Sequence, residues 1–337
     1  MRVCALTAGR NSPASRFRWR QHVPCLEGAG IETTELHVVG GSYPPQSHVL
    51  RPFWLAANLV DAFRLVRRAN EFDIRFLQRS LISTLCTSEL KLKSPLVLDV
   101  DDAVFLNQRF SGIDRIAAHS SLVICGNGYL ADHFGRFAKT TILPTAVDTD
   151  RYFPTARQSG ARAIGWSGLS SGFGYLRAVE PALKAVLDRF PDVTLRIIAE
   201  HCPSFPLIDR RRIDFRPWHP DTEVAALQDL TVGIMPLTDG PWEQGKCSFK
   251  MLTYMAVGVP VVVSAVGMNR DVMNHGRAGL LAASHAEWVD ALCAILEDEP
   301  GGREMGREGR RIVDTHYAAK IVGPKLASIL TGLVAGR

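Results

Sequence analysis

Short apolar runs alternate with helix-length amphipathic stretches along the whole chain, the signature of βαβ units and parallel sheets. In the first half the pattern predicts strands at 3–8, 35–39, 74–78, 96–100, 122–125 and 141–143. Helices are predicted at 16–27 (closed by Gly28 and Gly30), 52–70, 111–119 and 128–137. A polar stretch broken by Pro154 and Gly160 then ends one α/β set. The alternation restarts with strands at 163–166, 193–199, 232–236 and 259–264. Leu176, Val179, Leu183, Val186, Leu187 and Phe190 mark the apolar face of one helix. Further helices are expected at 246–257, 286–296 and 318–334. The expected fold is α/β, two Rossmann-like doubly wound domains facing a cleft, divided as 1–155 and 156–316.

A length of 337 residues agrees with two domains. The 46% hydrophobic and 22% charged content is that of an ordinary soluble globular protein. No stretch reaches the roughly 18 consecutive apolar residues of a membrane span, and the apolar run near Met1 reads as a buried strand rather than a signal peptide. Cys4, Cys25, Cys86, Cys125, Cys202, Cys247 and Cys293 are scattered, which argues against zinc and a disulfide framework and suits a reducing cytoplasm. The net charge of +5 is mild, and basic residues are not interleaved with aromatics, so no nucleic-acid partner is expected. Arg210, Arg211 and Arg212 read as solvated charge. Arg16, Arg18 and Arg20 follow the first strand, where α/β folds bind anions.

The densest chemical signal lies at 236–267. A strand ends, a loop rich in Gly, Pro and Trp follows, and a helix is expected to start near Lys246. Helix N-termini bind phosphate, and Lys246 would add a full charge. The Gly/Ser loop after the strand at 163–166 offers a phosphate nest from backbone N–H groups and the Ser170 and Ser171 hydroxyls. Asp99, Asp101 and Asp102 end a strand; alternation sends Asp99 and Asp101 to one side and Asp102 to the other. Asp101 and Asp102 can hydrogen-bond a ligand hydroxyl or cap a helix. Helical spacing would put Arg16 and Arg20 on one face. His119 reads as a cap or surface residue. Trp166 and Trp218 read as packing against loops at the sheet edge, although either could flank a base. No spaced histidine pair suggests a metal.

The segment GKCSFKMLTYMAVGVPVVVSAVG, with 122–134, 142–154, 163–176 and 232–237 in matching order, resembles the donor-site signature of retaining glycosyltransferases of family 4, which have the GT-B fold. SPASRFRWRQ at 12–21 resembles the S-R-x-R opening of such enzymes. The resemblance implies a donor-binding second half, an acceptor-binding first half and a last helix, 317–337, returning to the first. It implies a nucleoside diphosphate sugar as co-substrate, UDP-sugar favoured over GDP- and dTDP-sugars, with retention and no tightly bound metal. The acceptor would be a glycan, a lipid-linked sugar or a small molecule, with peripheral contact at the inner membrane face compatible. The expected donor residues are Gly168, Ser170, Ser171, Gly245, Lys246, Cys247, Ser248, Lys250 and Thr253. Lys246 and Arg16 are the expected catalytic cations, and Arg18, Asp101 and Asp102 the acceptor side. Two departures stand out: Gly245 and Thr253 occupy the places of the family's two glutamates, and the 167–174 loop has no Arg or Lys. A sugar-nucleotide epimerase and a non-catalytic relative are the alternatives.

Overall fold

A computed structural model describes residues 1–9, 12–45, 47–82, 85, 87–107, 112–156 and 160–335. Cys86, Ser111 and the last two residues of the expected terminal helix lie outside the described residues. The chain divides into two compact units. One comprises Met1–Ala146, Gly245–Cys247 and Ala319–Arg337, the other Val147–Gln244 and Ser248–Ala318.

In the first unit the order is β1 (Arg2–Leu6), α1 (Pro13–Arg18), α2 (Val23–Gly28), β2 (Glu32–Leu36), α3 (Arg51–Ala69), β3 (Ile74–Gln78), β4 (Leu96–Val100), α4 (Ile113–His119), β5 (Leu122–Cys125), α5 (Gly128–Phe134) and β6 (Thr140–Ile142). The strands form one parallel sheet in the order β2-β1-β3-β4-β5-β6. Every position of β3, β4 and β5 is buried, Arg75, Gln78 and Asp99 included, as in strands covered on both faces. Two expectations shift. β2 lies at Glu32–Leu36 rather than 35–39, because Val39 has left the sheet and gives its N–H to Asp61 at 2.8 Å. The single helix expected at 16–27 is α1 and α2 separated by a tight turn, since Trp19 leaves helical geometry and Pro24 restarts the helix.

The second unit continues with β7 (Arg162–Ser167), α6 (Phe173–Ala178), α7 (Glu180–Arg189), β8 (Val193–Ala199), β9 (Ile213–Pro217), α8 (Glu223–Gln228), β10 (Val232–Met235), α9 (Pro241–Gln244), α10 (Phe249–Ala256), β11 (Val261–Ser264), α11 (Met268–Met273), β12 (Gly279–Ala282), α12 (His285–Glu297) and α13 (Glu299–Ile312). Its parallel sheet runs β12-β11-β10-β7-β8-β9. The helix read across 176–190 breaks at Val179, with Pro181 in the first turn of α7. The alternation did not reveal β9, β12, α8, α9, α11 or α13. α13 carries Gly301, Gly302, Gly306 and Gly309, which hide it from propensity. Gly306 has a packing reason, because a Cβ there would run into the Gly258 carbonyl.

The last helix, α14 (Ala319–Ala335), belongs to the first unit. Val322, Leu326, Ala327 and Leu330 join a core built on Val3, Trp19, Leu26, Phe76 and Ile124. Gly323 allows the approach to α2, since a Cβ there would lie 3.1 Å from Cys25 Sγ and 3.5 Å from His22 Nδ1. The architecture is thus the expected one: α/β, two Rossmann-like doubly wound units, with the terminal helix on the first.

Candidate functional site

In the first unit the chemistry gathers where β3 and β4 end side by side, Gln78 opposite Asp99. The next residue, Arg79, has φ 58°, a left-handed conformation that a non-glycine residue adopts at a cost of about 1–3 kcal/mol. Its N–H donates to the Asp99 carbonyl at 3.0 Å. The turn aims its side chain at two carboxylates: Nε donates to Asp101 Oδ1 at 2.7 Å and Nη2 to Asp102 Oδ2 at 2.9 Å. Lys246 Nζ stands 3.9 Å from the other Asp102 oxygen. Two cations thus face two carboxylates, and burial pushes the Asp102 carboxyl above its ordinary range despite Arg79.

Beneath this cluster lies a second pair. Arg18 is buried, bonded through Nε to Asp99 Oδ2 at 3.1 Å, through Nη2 to Asp99 Oδ1, and through Nη1 to the Leu143 carbonyl at 2.7 Å. Burial opposes its charge, but the Asp99 carboxylate outweighs this and holds the guanidinium above its usual pKa. Arg18, expected on the acceptor side, is therefore a structural clamp. Asp99 faces the core and Asp101 faces Arg79, so the two do not form a ligand pair. Among the described residues no cluster of three metal-ligating side chains occurs.

The segment Gly245–Cys247 is tied to the same strand ends. Asn127 caps α5 by accepting from Leu130 N at 3.0 Å, and its Nδ2 donates to the Lys246 carbonyl at 3.1 Å. Cys247 Sγ donates to the Asp101 carbonyl at 3.2 Å and fills the space that a Cβ on Gly126 would occupy. Burial, with Asp101 beside it, pushes this thiol well above its ordinary range, so Cys247 packs rather than reacts. At Gly245 a Cβ would lie 2.6 Å from Ala103 Cβ and 2.8 Å from Ala103 N. An acidic side chain, which the resemblance would place here, has no room.

Lys246 is not at the helix start that sequence reading gave it. α10 begins at Phe249, after Ser248 in a left-handed turn at φ 51°. The Ser248 hydroxyl bonds Asn269 Oδ1 at 2.8 Å and does not cap the helix.

In the second unit, the loop after β7 acquires the charge its sequence lacks. Lys250 Nζ sits 4.1 Å from the Trp166 ring centre. It lies where a Cβ on Gly168 would fall and 3.4 Å from one on Gly172. The two glycines make room for an ammonium supplied by α10. The Tyr254 hydroxyl accepts from Ser167 N at 2.8 Å and pins the strand end. Of the expected nest, Ser170 N donates to the exposed Glu200 carboxylate at 3.0 Å, so an anionic group already engages one of its donors. Ser171, beside it in the same turn, is exposed. Thr253 is buried and donates its hydroxyl to the Lys250 carbonyl at 2.7 Å, so it offers no proton to a ribose.

The other expectations resolve locally. Arg16 lies half-buried against the Phe17 ring, 4.7 Å from its centre. It does not share a helix face with Arg20, because α1 ends at Arg18 and Arg20 pairs with Glu35 at 2.7 Å. Trp166 is core, whereas Trp218 is half-exposed beyond β9. His119 bonds the Leu92 carbonyl at 2.8 Å. Arg212 does not fit the solvated reading: it binds the Leu187 and Phe190 carbonyls at 2.9 and 2.8 Å, closing the end of α7. Sequence reading passed over Arg79, Glu200 and Glu243, the last buried and accepting from the Tyr175 hydroxyl. Arg79's position immediately after a predicted strand was the available signal.

Residues 173–298 match the family described as glycosyl transferases group 1. No curated protein sequence matches the chain. Among solved structures, sucrose-phosphate synthase from Thermosynechococcus elongatus superposes with a TM-score of 0.74 at 15% identity, covering 100% of both chains. Anabaena HepE, solved with UDP and glucose, gives 0.70 at 16% identity over 98% of this chain and 100% of its own. WaaG, a glycosyltransferase involved in lipopolysaccharide biosynthesis, gives 0.67 at 14% identity over 98% and 100%. These likenesses establish the GT-B fold.

Proposed function

We propose that the protein transfers a sugar from a nucleoside diphosphate sugar to an acceptor hydroxyl, with retention of configuration, as a member of glycosyltransferase family 4. The observation that carries this reading is the Lys250 ammonium over the Gly168–Gly172 loop, at the carboxyl end of the central strand β7, where doubly wound sheets bind phosphate-bearing ligands. The group 1 match over 173–298 covers α10 and supports it. The donor site is assigned to the second unit with Gly168, Ser170, Ser171, Ser248 and Lys250. The acceptor side is assigned to the first unit with Asp101 and Asp102, which Arg79 orients. The boundaries proposed for these roles are 1–155, 156–316 and 317–337.

Breaking the anomeric bond leaves extra negative charge on the diphosphate, and fixed cations lower that barrier. Lys250, Lys246 and Arg16 are assigned this role. The acceptor hydroxyl attacks from the face the diphosphate leaves, and a departing phosphate oxygen takes its proton, so no protein base or metal is assigned. UDP-sugars are the favoured donors, in line with HepE having been solved with UDP-glucose. The acceptor is a glycan, lipid-linked sugar or small molecule, and the site of action the cytoplasm.

Thermal unfolding with UDP-, GDP- and dTDP-sugars tests donor binding. A sugar nucleotide at a hundred times its Kd should stabilise the fold by about 2.7 kcal/mol. No shift with any of the three, nor with free nucleoside diphosphates, would overturn the reading.

A further inference from the structure

Strands β7 and β8 lie side by side with Ser167 opposite Ile198, and the ladder runs one step further, Gly168 N donating to the Ile198 carbonyl at 3.0 Å. On the other side Trp218 N donates to the Ala199 carbonyl at 2.9 Å. The backbone is therefore held from both sides up to Ala199, and Glu200 is the first residue beyond β8. This brings its side chain beside the turn Ser170–Gly172, where Oε2 accepts from Ser170 N at 3.0 Å. Glu200 is exposed; among the described residues this is its one hydrogen bond, and no cation pairs with it.

The same turn has the Lys250 ammonium against Gly168 and Gly172. A fixed cation and a fixed anion thus flank it. Lys250 attracts a phosphate arriving there, whereas Glu200 repels it and occupies one of the N–H donors. A glutamine would accept from the same N–H without the charge, so capping the turn does not by itself call for a carboxylate. The two nucleotides that would visit a sugar-transfer site differ in the property to which such a charge responds. In a sugar nucleotide each phosphate of the diphosphate has one ionised oxygen. Breaking the anomeric bond turns the outer phosphate into a monoester, whose second ionisation lies near pH ~6 and adds most of a further negative charge at neutral pH. A fixed anion at this turn therefore disfavours the free diphosphate more than the sugar nucleotide.

We propose that Glu200 sets the selectivity of this turn between sugar nucleotide and free nucleoside diphosphate, weakening the hold on the product so that it leaves. Glu200 acts through charge at the turn and not on the reacting atoms, which makes it a specificity-determining residue. The inference rests on the assignment of the donor diphosphate to this turn. It adds a sign that a capping role does not have: removing the charge strengthens phosphate binding, and most of all for the free diphosphate.

Calorimetric titration of the full chain and of Glu200→Gln tests it, with UDP, GDP and dTDP, their glucose conjugates and the free nucleosides as probes. Glu200→Gln should tighten binding of the free diphosphate about fivefold and of its glucose conjugate about twofold or less. Nucleoside binding should not change, and the gains should fade as salt screens them. Glu200→Ala, which also frees the Ser170 N–H, should tighten the diphosphate at least as much. Both variants should keep the melting temperature of the parent, because the side chain is exposed. Diphosphate binding that does not tighten in Glu200→Gln, or tightens no more than binding of the conjugate, would overturn this inference and leave the donor assignment standing. Failure of the parent and both variants to bind any diphosphate or conjugate would overturn the donor assignment, and this inference with it.

Discussion

Lys246 and Asp102 face one another at 3.9 Å, while the second oxygen of the same carboxylate is held by Arg79. Asp102 therefore withholds part of the Lys246 charge until a stronger anion competes for it. Half-exposed pairs of this kind are worth up to about 1 kcal/mol. Asp102→Asn should accordingly tighten nucleoside diphosphate binding by up to about fivefold while lowering transfer to acceptor. Calorimetric titration beside a turnover assay separates the two effects. Weaker diphosphate binding in this variant would contradict the arrangement.

Gly245 gives the second prediction. Introducing an acidic residue by Gly245→Glu should lower stability by about 1–3 kcal/mol without raising turnover, because the new side chain meets Ala103. Urea unfolding of the variant, with a rate assay on the same preparation, checks both halves.

The buried Arg18–Asp99 pair is a structural element, and removing one partner leaves an uncompensated charge. Arg18→Met should cost about 3–5 kcal/mol of unfolding free energy. At temperatures where the variant remains folded, its donor affinity should match the parent's. A selective loss of donor affinity without destabilisation would return Arg18 to the site.

His22 carries the pH prediction. Burial first, and the Arg18 charge second, lower its pKa from 6.5 to about 3. Below pH about 6.5 the unfolded chain binds a proton that the folded chain refuses until about pH 3, so stability falls as pH drops through this window. The slope approaches about 1.4 kcal/mol per pH unit for this one group. His22→Gln should flatten the decline in melting temperature between neutral pH and pH about 4, leaving the ranking of variants at neutral pH unchanged.

The strands buried on both faces were legible because a parallel sheet needs short, mostly apolar runs. Ile74–Gln78, Leu96–Val100, Leu122–Cys125 and Val193–Ala199 emerged at their observed bounds. Elements whose identity depends on partners were not. The glycines of α13 make sense only against the Gly258 carbonyl, and β2 is fixed by where Asp61 catches Val39. The residues that meet at the end of β7 were legible as a region, because Lys250 and the loop at 167–174 were both marked. That the lysine lies against this loop depends on a contact across some eighty residues of sequence. The positive φ at Arg79 and the exclusion of a side chain at Gly245 leave no trace in periodicity.

Lys250→Met keeps an unbranched side chain over Trp166 and removes the charge. Donor affinity should fall about tenfold to a hundredfold, as loss of a charged hydrogen bond predicts. The same change should barely affect binding of the free nucleoside, which has no diphosphate. Calorimetric titration with both ligands reads this.

If the chain cleaves the anomeric bond of a sugar nucleotide with fixed lysine charge on the leaving diphosphate, the purified protein should release nucleoside diphosphate from at least one of UDP-, GDP- and dTDP-sugars. Lys246→Ala should lose about a hundredfold or more of that rate with folding intact. Release from none of the donors, or an unchanged rate in Lys246→Ala, would contradict that mechanism.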